Sequence, residues 1–335
     1  MKDIPAWTGP FDPDALPGEL LSADRPFVVR GGFAHWPVVQ AARQSDVALA
    51  QYLMNLYNGV RVALFELAPE ARGRVFYADE TLSSFNFKRH AATLDQVLTG
   101  LIGVAQNPEP PALYVGSTTV EAVLPGFMEA NLLGLGERDA LVSLWLGNRT
   151  RIAAHYDLPD NFAIVAAGRR RFTVFPPEQI HNLYVGPLDP TPAGQPVSLV
   201  DFEQPDLQRF PRFSQAWEAG EQVVLEPGDA LFIPSMWFHH VESLDAVNLL
   251  INAWWRQVPD YVDSPLSTLR LALMTLRDLP EKERRIWAHH FDHFIFGADT
   301  STWAHLPESA RGLLGPIDET LSRQARAHLL NQLKR

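Results

Sequence analysis

The sequence predicts an α+β protein: a β-rich core over about residues 112–256, with helices before and after it. Three observations carry this. Short apolar runs follow one another through that region, Pro-Gly and Pro-Pro pairs break them apart, and the flanks space their apolar residues three to four apart instead.

Taken in order, residues 1–24 are rich in Pro, Asp and Gly and read as an irregular lead-in. Arg25-Pro26-Phe27-Val28-Val29-Arg30 is a short β-like run ended by Gly31 and Gly32. Val47, Leu49, Tyr52, Leu53 and Leu56 give residues 44–57 helical spacing. Val60–Leu67 reads as a strand, and residues 92–103 as a helix with Leu94, Val97, Leu98 and Leu101 on one face. The core runs are Ala112–Gly116, Leu141–Leu146, Phe162–Ala166, Arg171–Phe175, Gln222–Leu225, Ala230–Ile233 and Val247–Trp254. Strands this short and this dense indicate a sandwich or a barrel. Residues 186–221 are Pro-rich and poor in pattern, an insert between strands of the kind that often serves function. Beyond 257, Ser267–Leu276, Glu281–Phe296 and Asp318–Leu333 are helical in spacing. The expected organisation is therefore an N-terminal α/β extension (1–111), the β core (112–256) with its insert, and a helical region (257–335).

Composition sets limits on function. The 335 residues are 46% hydrophobic and 20% charged, an ordinary globular balance. There is no cysteine, which excludes disulfides, thiolate metal sites and a cysteine nucleophile. A transition metal must then be held by histidine and carboxylate. A formal charge of −11 argues against nucleic-acid and anionic-membrane partners. The first residues lack the apolar run of a signal peptide, and no stretch of ~18 apolar residues is present. A cytoplasmic location is the default expectation.

The strongest chemical signal is His155-Tyr156-Asp157. In a strand, residues i and i+2 share a face, so an imidazole and a carboxylate would stand side by side. One more histidine would complete a 2-His-1-carboxylate set, which suits non-haem Fe(II) because it leaves coordination positions open. The third ligand would come from Pro234-Ser235-Met236-Trp237-Phe238-His239-His240. Adjacent strand residues face opposite ways, so His239 or His240 can enter a barrel but not both. The chemistry of this segment leaves that choice open, and an H-x-D triplet alone arises easily by chance. Arg169-Arg170-Arg171 poses a similar alternative: three solvated arginines on an edge, or Arg170 turned inward to meet an anion such as a dicarboxylate.

At these residues the chain resembles the cupin-like JmjC hydroxylases, in particular the factor-inhibiting-HIF type. The resemblance includes Trp36-Pro37, Phe76-Tyr77-Ala78-Asp79-Glu80, Leu113-Tyr114, His155-Tyr156-Asp157 with Asn161-Phe162, and Phe175-Pro176-Pro177. It continues through Pro227-Gly228-Asp229, Trp237, His239-His240 and Asn252-Ala253-Trp254, covering roughly residues 25–256. It implies a double-stranded β-helix (jelly-roll) core and an Fe(II)- and 2-oxoglutarate-dependent dioxygenase using O2. His155, Asp157 and His239 are the implied ligands. Arg170 is placed at the distal carboxylate of 2-oxoglutarate, assisted by Tyr114, with Asn161 and Asn252 beside the iron-side carboxylate. Tyr77, Asp79 and Trp254 fall near the prime substrate, a protein or peptide side chain or a small molecule. The C-terminal helices correspond to a dimerisation element, implying a homodimer; packing of Leu266, Leu269, Leu273 and Leu276 on the core is the alternative. A non-catalytic metal-binding module or a dimeric scaffold would share most of these features. The chain departs from the pattern at Arg170, where lysine is common, and at Ile152, where a hydroxyl residue would help hold the co-substrate. The insert around Gly194-Gln195-Pro196-Val197 also lacks a basic pair.

Overall fold

A computed structural model describes residues 1–334. The chain divides into two compact units, Met1–Arg256 and a second beginning at Gln257. In chain order the strands are β1 (Lys2–Asp3), β2 (Phe27–Val29), β3 (Val62–Leu67), β4 (Arg74–Val75), β5 (Phe87–Ala92), β6 (Ala112–Thr119) and β7 (Leu141–Gly147). They continue as β8 (Arg151–Tyr156), β9 (Asp160–Ala167), β10 (Arg170–Phe175), β11 (Glu221–Leu225), β12 (Ala230–Ile233), β13 (Phe238–Ser243) and β14 (Asn248–Trp255).

Among the described residues these strands form a six-stranded sheet, ordered β1-β11-β10-β13-β8-β4, and an eight-stranded sheet, ordered β2-β12-β9-β14-β7-β6-β3-β5. From β7 onward the chain crosses repeatedly between the sheets: β7, β9, β12 and β14 lie in the larger, and β8, β10, β11 and β13 in the smaller. Their pairings are antiparallel, which gives the jelly-roll core. The strands before residue 112 are woven into the same sheets: β2 pairs with β12, β3 joins β5 to β6, and β4 lies beside β8.

Strand alternation decides what the core offers to a ligand. Along β9, Phe162, Ile164 and Ala166 face one apolar cluster while Ala163 and Val165 face another. Along β14, Leu249, Ile251, Ala253 and Trp255 join the first cluster and Leu250 the second. The first cluster also holds Val38, Val39, Leu49, Leu53, Val97 and Leu101, so a helical layer covers the outside of the larger sheet. The second lies between the sheets. By parity, Asn161 on β9 and Asn252 and Trp254 on β14 point inward.

A helix not expected from the sequence, Pro37–Gln44, precedes the one expected over 44–57, which runs Asp46–Leu56. Pro37 starts the first at a position where a missing N–H does no harm. Ser45 is extended and caps the second, its hydroxyl accepting from Ala48 N at 3.0 Å. The insert holds more structure than its composition suggests: a bridge between Val185 and Ser198, and a helix Phe213–Ala219. Phe213 and Ala216 pack that helix on Phe175 and Phe238.

The second unit contains helices Pro265–Thr275, Glu281–Phe291 and Glu319–Leu333. The expected helix 281–296 changes to a wider π turn over Asp292–Phe296. Met274 and Phe296 are each 79% exposed, and Trp287 and Ile295 are also exposed. No helix among the described residues is long and apolar enough to cross a membrane.

Candidate metal centre

β13 and β8 pair antiparallel with His239 directly opposite His155, and the ring centroids are 4.4 Å apart. Two residues further along β13, Val241 is opposite Ile152. Two residues of β8, Ala153 and Ala154, therefore oppose His240 alone, which is a β-bulge in β8. The bulge resets the alternation, so Ile152 and His155 line the same cavity although three apart. The Ala154 carbonyl is taken up by Ser198 N of the insert at 2.7 Å. Asp157 follows the end of β8, where its carbonyl accepts from Met236 N at 2.9 Å. The open choice between the paired histidines is thereby resolved geometrically: His239 turns into the barrel. His240 turns outward, its ring 4.5 Å from that of Phe202.

Ligand atoms of His155, Asp157 and His239 all lie within 4.8 Å of one another. His155 Nδ1 is 2.9 Å from the Ala153 carbonyl oxygen, and His239 Nδ1 is 3.1 Å from that of Trp237. A carbonyl only accepts, so both Nδ1 atoms carry the hydrogen and both Nε2 atoms can present a lone pair. His239 Nε2 lies 3.4 Å from Asp157 Oδ2. A lone pair facing a carboxylate needs a proton or a cation between them. The donor set, two imidazoles and one carboxylate without thiolate, fits a borderline divalent metal such as Fe(II).

The electrostatics agree. Burial, helped by the neighbouring His239, lowers the His155 pKa to about 4, so the ring is neutral at physiological pH. Burial pushes the Asp157 carboxyl up, but the hydrogen bond and charge it gains when a proton sits between it and His239 Nε2, with the nearby His155, outweigh that and hold it below the ordinary value. Trp254 Nε1 has no partner at hydrogen-bond distance, yet its N–H dipole also favours the carboxylate. Asp157 is further oriented by a relay. Trp145 Nε1 donates to Asn252 Oδ1 (2.6 Å), Asn252 Nδ2 to Asn161 Oδ1 (3.1 Å), and Asn161 Nδ2 to Asp157 Oδ2 (3.3 Å).

The triad opens into a cavity of about 590 Å³. Gly168, at φ +67°, turns the chain from β9 into β10. Arg169 then pairs outward with Asp245 at 2.9 Å, and Arg171 pairs across the strand with Glu242 at 3.1 Å. Arg170 between them points inward and is 3% exposed. The solvated-edge alternative therefore does not hold. Its Nη2 donates to the Trp145 carbonyl at 3.0 Å, and its Nε has no partner. Burial lowers its pKa to about 10, which leaves it a cation at neutral pH. The Tyr114 ring also lines the cavity; burial pushes its hydroxyl pKa up, against the opposing pull of Arg170.

The structure thus gathers His155, Asp157, His239, Tyr114, Asn161, Arg170, Asn252 and Trp254 around one cavity. Tyr77 and Asp79 do not line it. Tyr77 is buried beside Phe76 and Phe85, and its hydroxyl donates to the Pro190 carbonyl of the insert at 2.8 Å. Asp79 is solvent-exposed, and its carboxylate accepts from Thr81 N and Oγ1 at 2.8 and 2.6 Å. Tyr77 thus ties down the insert, which lines the cavity with Thr191–Gly194, while Asp79 closes its own turn at Thr81.

Residues 13–261 match the cupin-like domain family. The chain belongs to this family. The cupin-like chain is of the JmjC type, and it is 34% identical over 149 residues to tRNA wybutosine-synthesizing protein 5 of Gallus gallus (40% of this chain, 44% of that protein). It is 30% identical over 146 residues to lysine-specific demethylase JMJ31 of Arabidopsis thaliana (42% and 25%). To HSPB1-associated protein 1 of Bos taurus it is 31% identical over 178 residues (49% and 36%). The chain spans less than half the length of each of these relatives. Among solved structures, that of E. coli ycfD covers 93% of this chain and 65% of its own at 14% identity, with a TM-score of 0.40.

Three groups of this cupin-like site escape a sequence reading. Trp145 lies in an ordinary core run, and only the relay to Asn252 gives it a role. Phe65 and Phe87 look like strand residues. Arg89 lies in Phe87-Lys88-Arg89-His90, which shows no apolar alternation; the one available signal was a basic run in an acidic chain.

Proposed function

We propose that this chain is an Fe(II)- and 2-oxoglutarate-dependent oxygenase that hydroxylates a small molecule or a protein or peptide side chain. The observation that carries the reading is the convergence of His155, Asp157 and His239 in the same cavity as a buried guanidinium with an unpartnered Nε. His155, Asp157 and His239 would hold Fe(II), and the metal with 2-oxoglutarate and O2 would supply the oxidising power.

The chain's own residues do the rest. Arg170 binds the far carboxylate of the co-substrate, answering a buried charge that is otherwise destabilising. Tyr114, beside it, orients that end. The relay from Trp145 through Asn252 and Asn161 fixes the face of Asp157 turned to the metal. Ile152, Phe172, Val241 and Leu250 form apolar walls that exclude water from the space between metal and guanidinium. Trp254 closes the side toward the second substrate. Relatives named as a lysine demethylase and a tRNA-modifying protein support an oxidative reaction without choosing the acceptor. The exposed apolar residues of the second unit support assembly with a second copy through the C-terminal helices.

The test is conversion of 2-oxoglutarate to succinate by the purified chain with Fe(II) and ascorbate. Iron-dependent succinate that disappears in His155→Ala and Asp157→Ala supports the reading. Full turnover in either variant refutes the ligand assignment.

A further inference from the structure

The mouth of the cavity limits the chemistry of the second substrate. β5 is one of the two edge strands of the larger sheet and pairs with β3 alone. Register places Arg89 opposite Phe65, and Phe65 opposite Tyr114 on β6. All three line the cavity, so a row of side chains crosses three strands from exposed Arg89 to buried Tyr114 beside Arg170. The Arg89 guanidinium lies over the Phe65 ring, 5.4 Å from its centroid. Among the described residues it has no ion pair and no hydrogen bond. Next to it, Phe85 and Phe87 stack at 5.1 Å with planes 3° apart, and Phe65 meets Phe87 edge-on at 5.0 Å. The insert contributes the uncharged Thr191–Gly194 to the wall.

Charge is distributed unevenly here. Among the described residues lining the cavity, Asp157 is the single carboxylate, and it belongs to the metal centre. A cationic side chain would pass Arg89 with no acid to neutralise it. The aromatic patch offers such a cation little, because the Phe65 face already carries the Arg89 guanidinium. An acid suits the site better. It can take the free donors of Arg89 while an apolar body lies on the phenylalanines.

We infer that the second substrate carries an acidic group on an aromatic or other apolar body, with the acid held by Arg89 and the body by Phe65, Phe85 and Phe87. The inference rests on the oxygenase reading for the reaction, but recognition is measured without turnover. The probes are 3-phenylpropanoate, 3-phenylpropanamide and 3-phenylpropylamine. They are titrated by ligand-detected NMR against the full chain loaded with Zn(II) and saturating 2-oxoglutarate, which keeps Arg170 covered.

The acid is expected to bind about three- to tenfold tighter than the amide, and the amine weakest, as for one partly exposed charge-assisted contact. The preference shrinks in Arg89→Gln, survives in Arg89→Lys, and falls as NaCl is raised. The Arg89 side chain is exposed and makes no hydrogen bond, so both variants fold. Equal binding of the three probes, tightest binding of the amine, a preference that survives Arg89→Gln, or no binding of any probe at millimolar concentration each overturns the assignment. An acid preference that depends on Arg89, in a chain that neither binds nor consumes 2-oxoglutarate, sinks the oxygenase reading and leaves the Arg89 site standing. Consumption of 2-oxoglutarate without that preference does the reverse.

Discussion

Replacing Arg170 with glutamine separates its two opposed effects. In the free chain the guanidinium is buried with one hydrogen bond to the Trp145 carbonyl and an unpartnered Nε. Burial lowers its pKa from the ordinary guanidinium value to about 10, so the cation destabilises the fold at every pH below about 10. That penalty fades as pH rises above about 10 toward the ordinary guanidinium value, a window in which the unfolded chain still holds the proton and the folded one does not. The shift corresponds to a penalty on the order of 3 kcal/mol, an upper bound because the buried site can relax. Arg170→Gln keeps most of the volume and removes the charge, so the free protein should melt at the same or a higher temperature. With 2-oxoglutarate the balance reverses. Loss of one partner of a buried charged pair costs about 3–5 kcal/mol, which predicts a Kd or KM for 2-oxoglutarate raised roughly 10²–10⁴-fold. The assay is thermal unfolding of the Zn(II)-loaded chain across a 2-oxoglutarate titration, for wild type and variant. Unchanged ligand stabilisation in Arg170→Gln would refute the reasoning.

Asn252→Ala should lower metal affinity about 10- to 100-fold, because it cuts the relay that orients Asp157; competition with a chelator measures this, and wild-type affinity would place the relay outside the site. Burial first, then the neighbouring His239 for His155 and Arg151 for His240, lowers the His155 and His240 pKa values to about 4 and about 3, and the unfolded chain protonates both near 6.5. The folded state therefore binds fewer protons, so the metal-free protein should lose about 2 kcal/mol per histidine between pH 7 and pH 5. Urea unfolding at the two pH values checks this, and equal midpoints would count against buried neutral imidazoles. Sedimentation of the full chain should show a dimer at micromolar concentration, and removal of residues 257–335 a monomer; a full-length monomer ends the C-terminal assembly proposal.

The parts of the site that were readable from sequence are those governed by strand period and charge. His155 and Asp157 two apart announced a shared face, and three consecutive arginines forced at least one to differ from its neighbours. What period alone could not supply was phase. His239 and His240 are equivalent until β13 is laid against β8, where the bulge at Ala153–Ala154 decides the register. The phase of Arg170 depends on the turn at Gly168 and on two outward acids, Asp245 and Glu242, far off in sequence. β5 went unread because edge strands carry charge in place of alternation, and Lys88, Arg89 and His90 are all exposed. The rim of the cavity was invisible for that reason. The helix Phe213–Ala219 was hidden by its length, seven residues in a Pro-rich insert.

A Mn(II) titration followed by electron paramagnetic resonance tests the metal centre most directly. One ion per wild-type chain, a spectrum altered by adding 2-oxoglutarate, and loss of binding in His239→Ala but not in His240→Ala are the predicted results. Stoichiometric binding that persists in His239→Ala, or that fails instead in His240→Ala, would contradict the assignment of His155, Asp157 and His239 as one site.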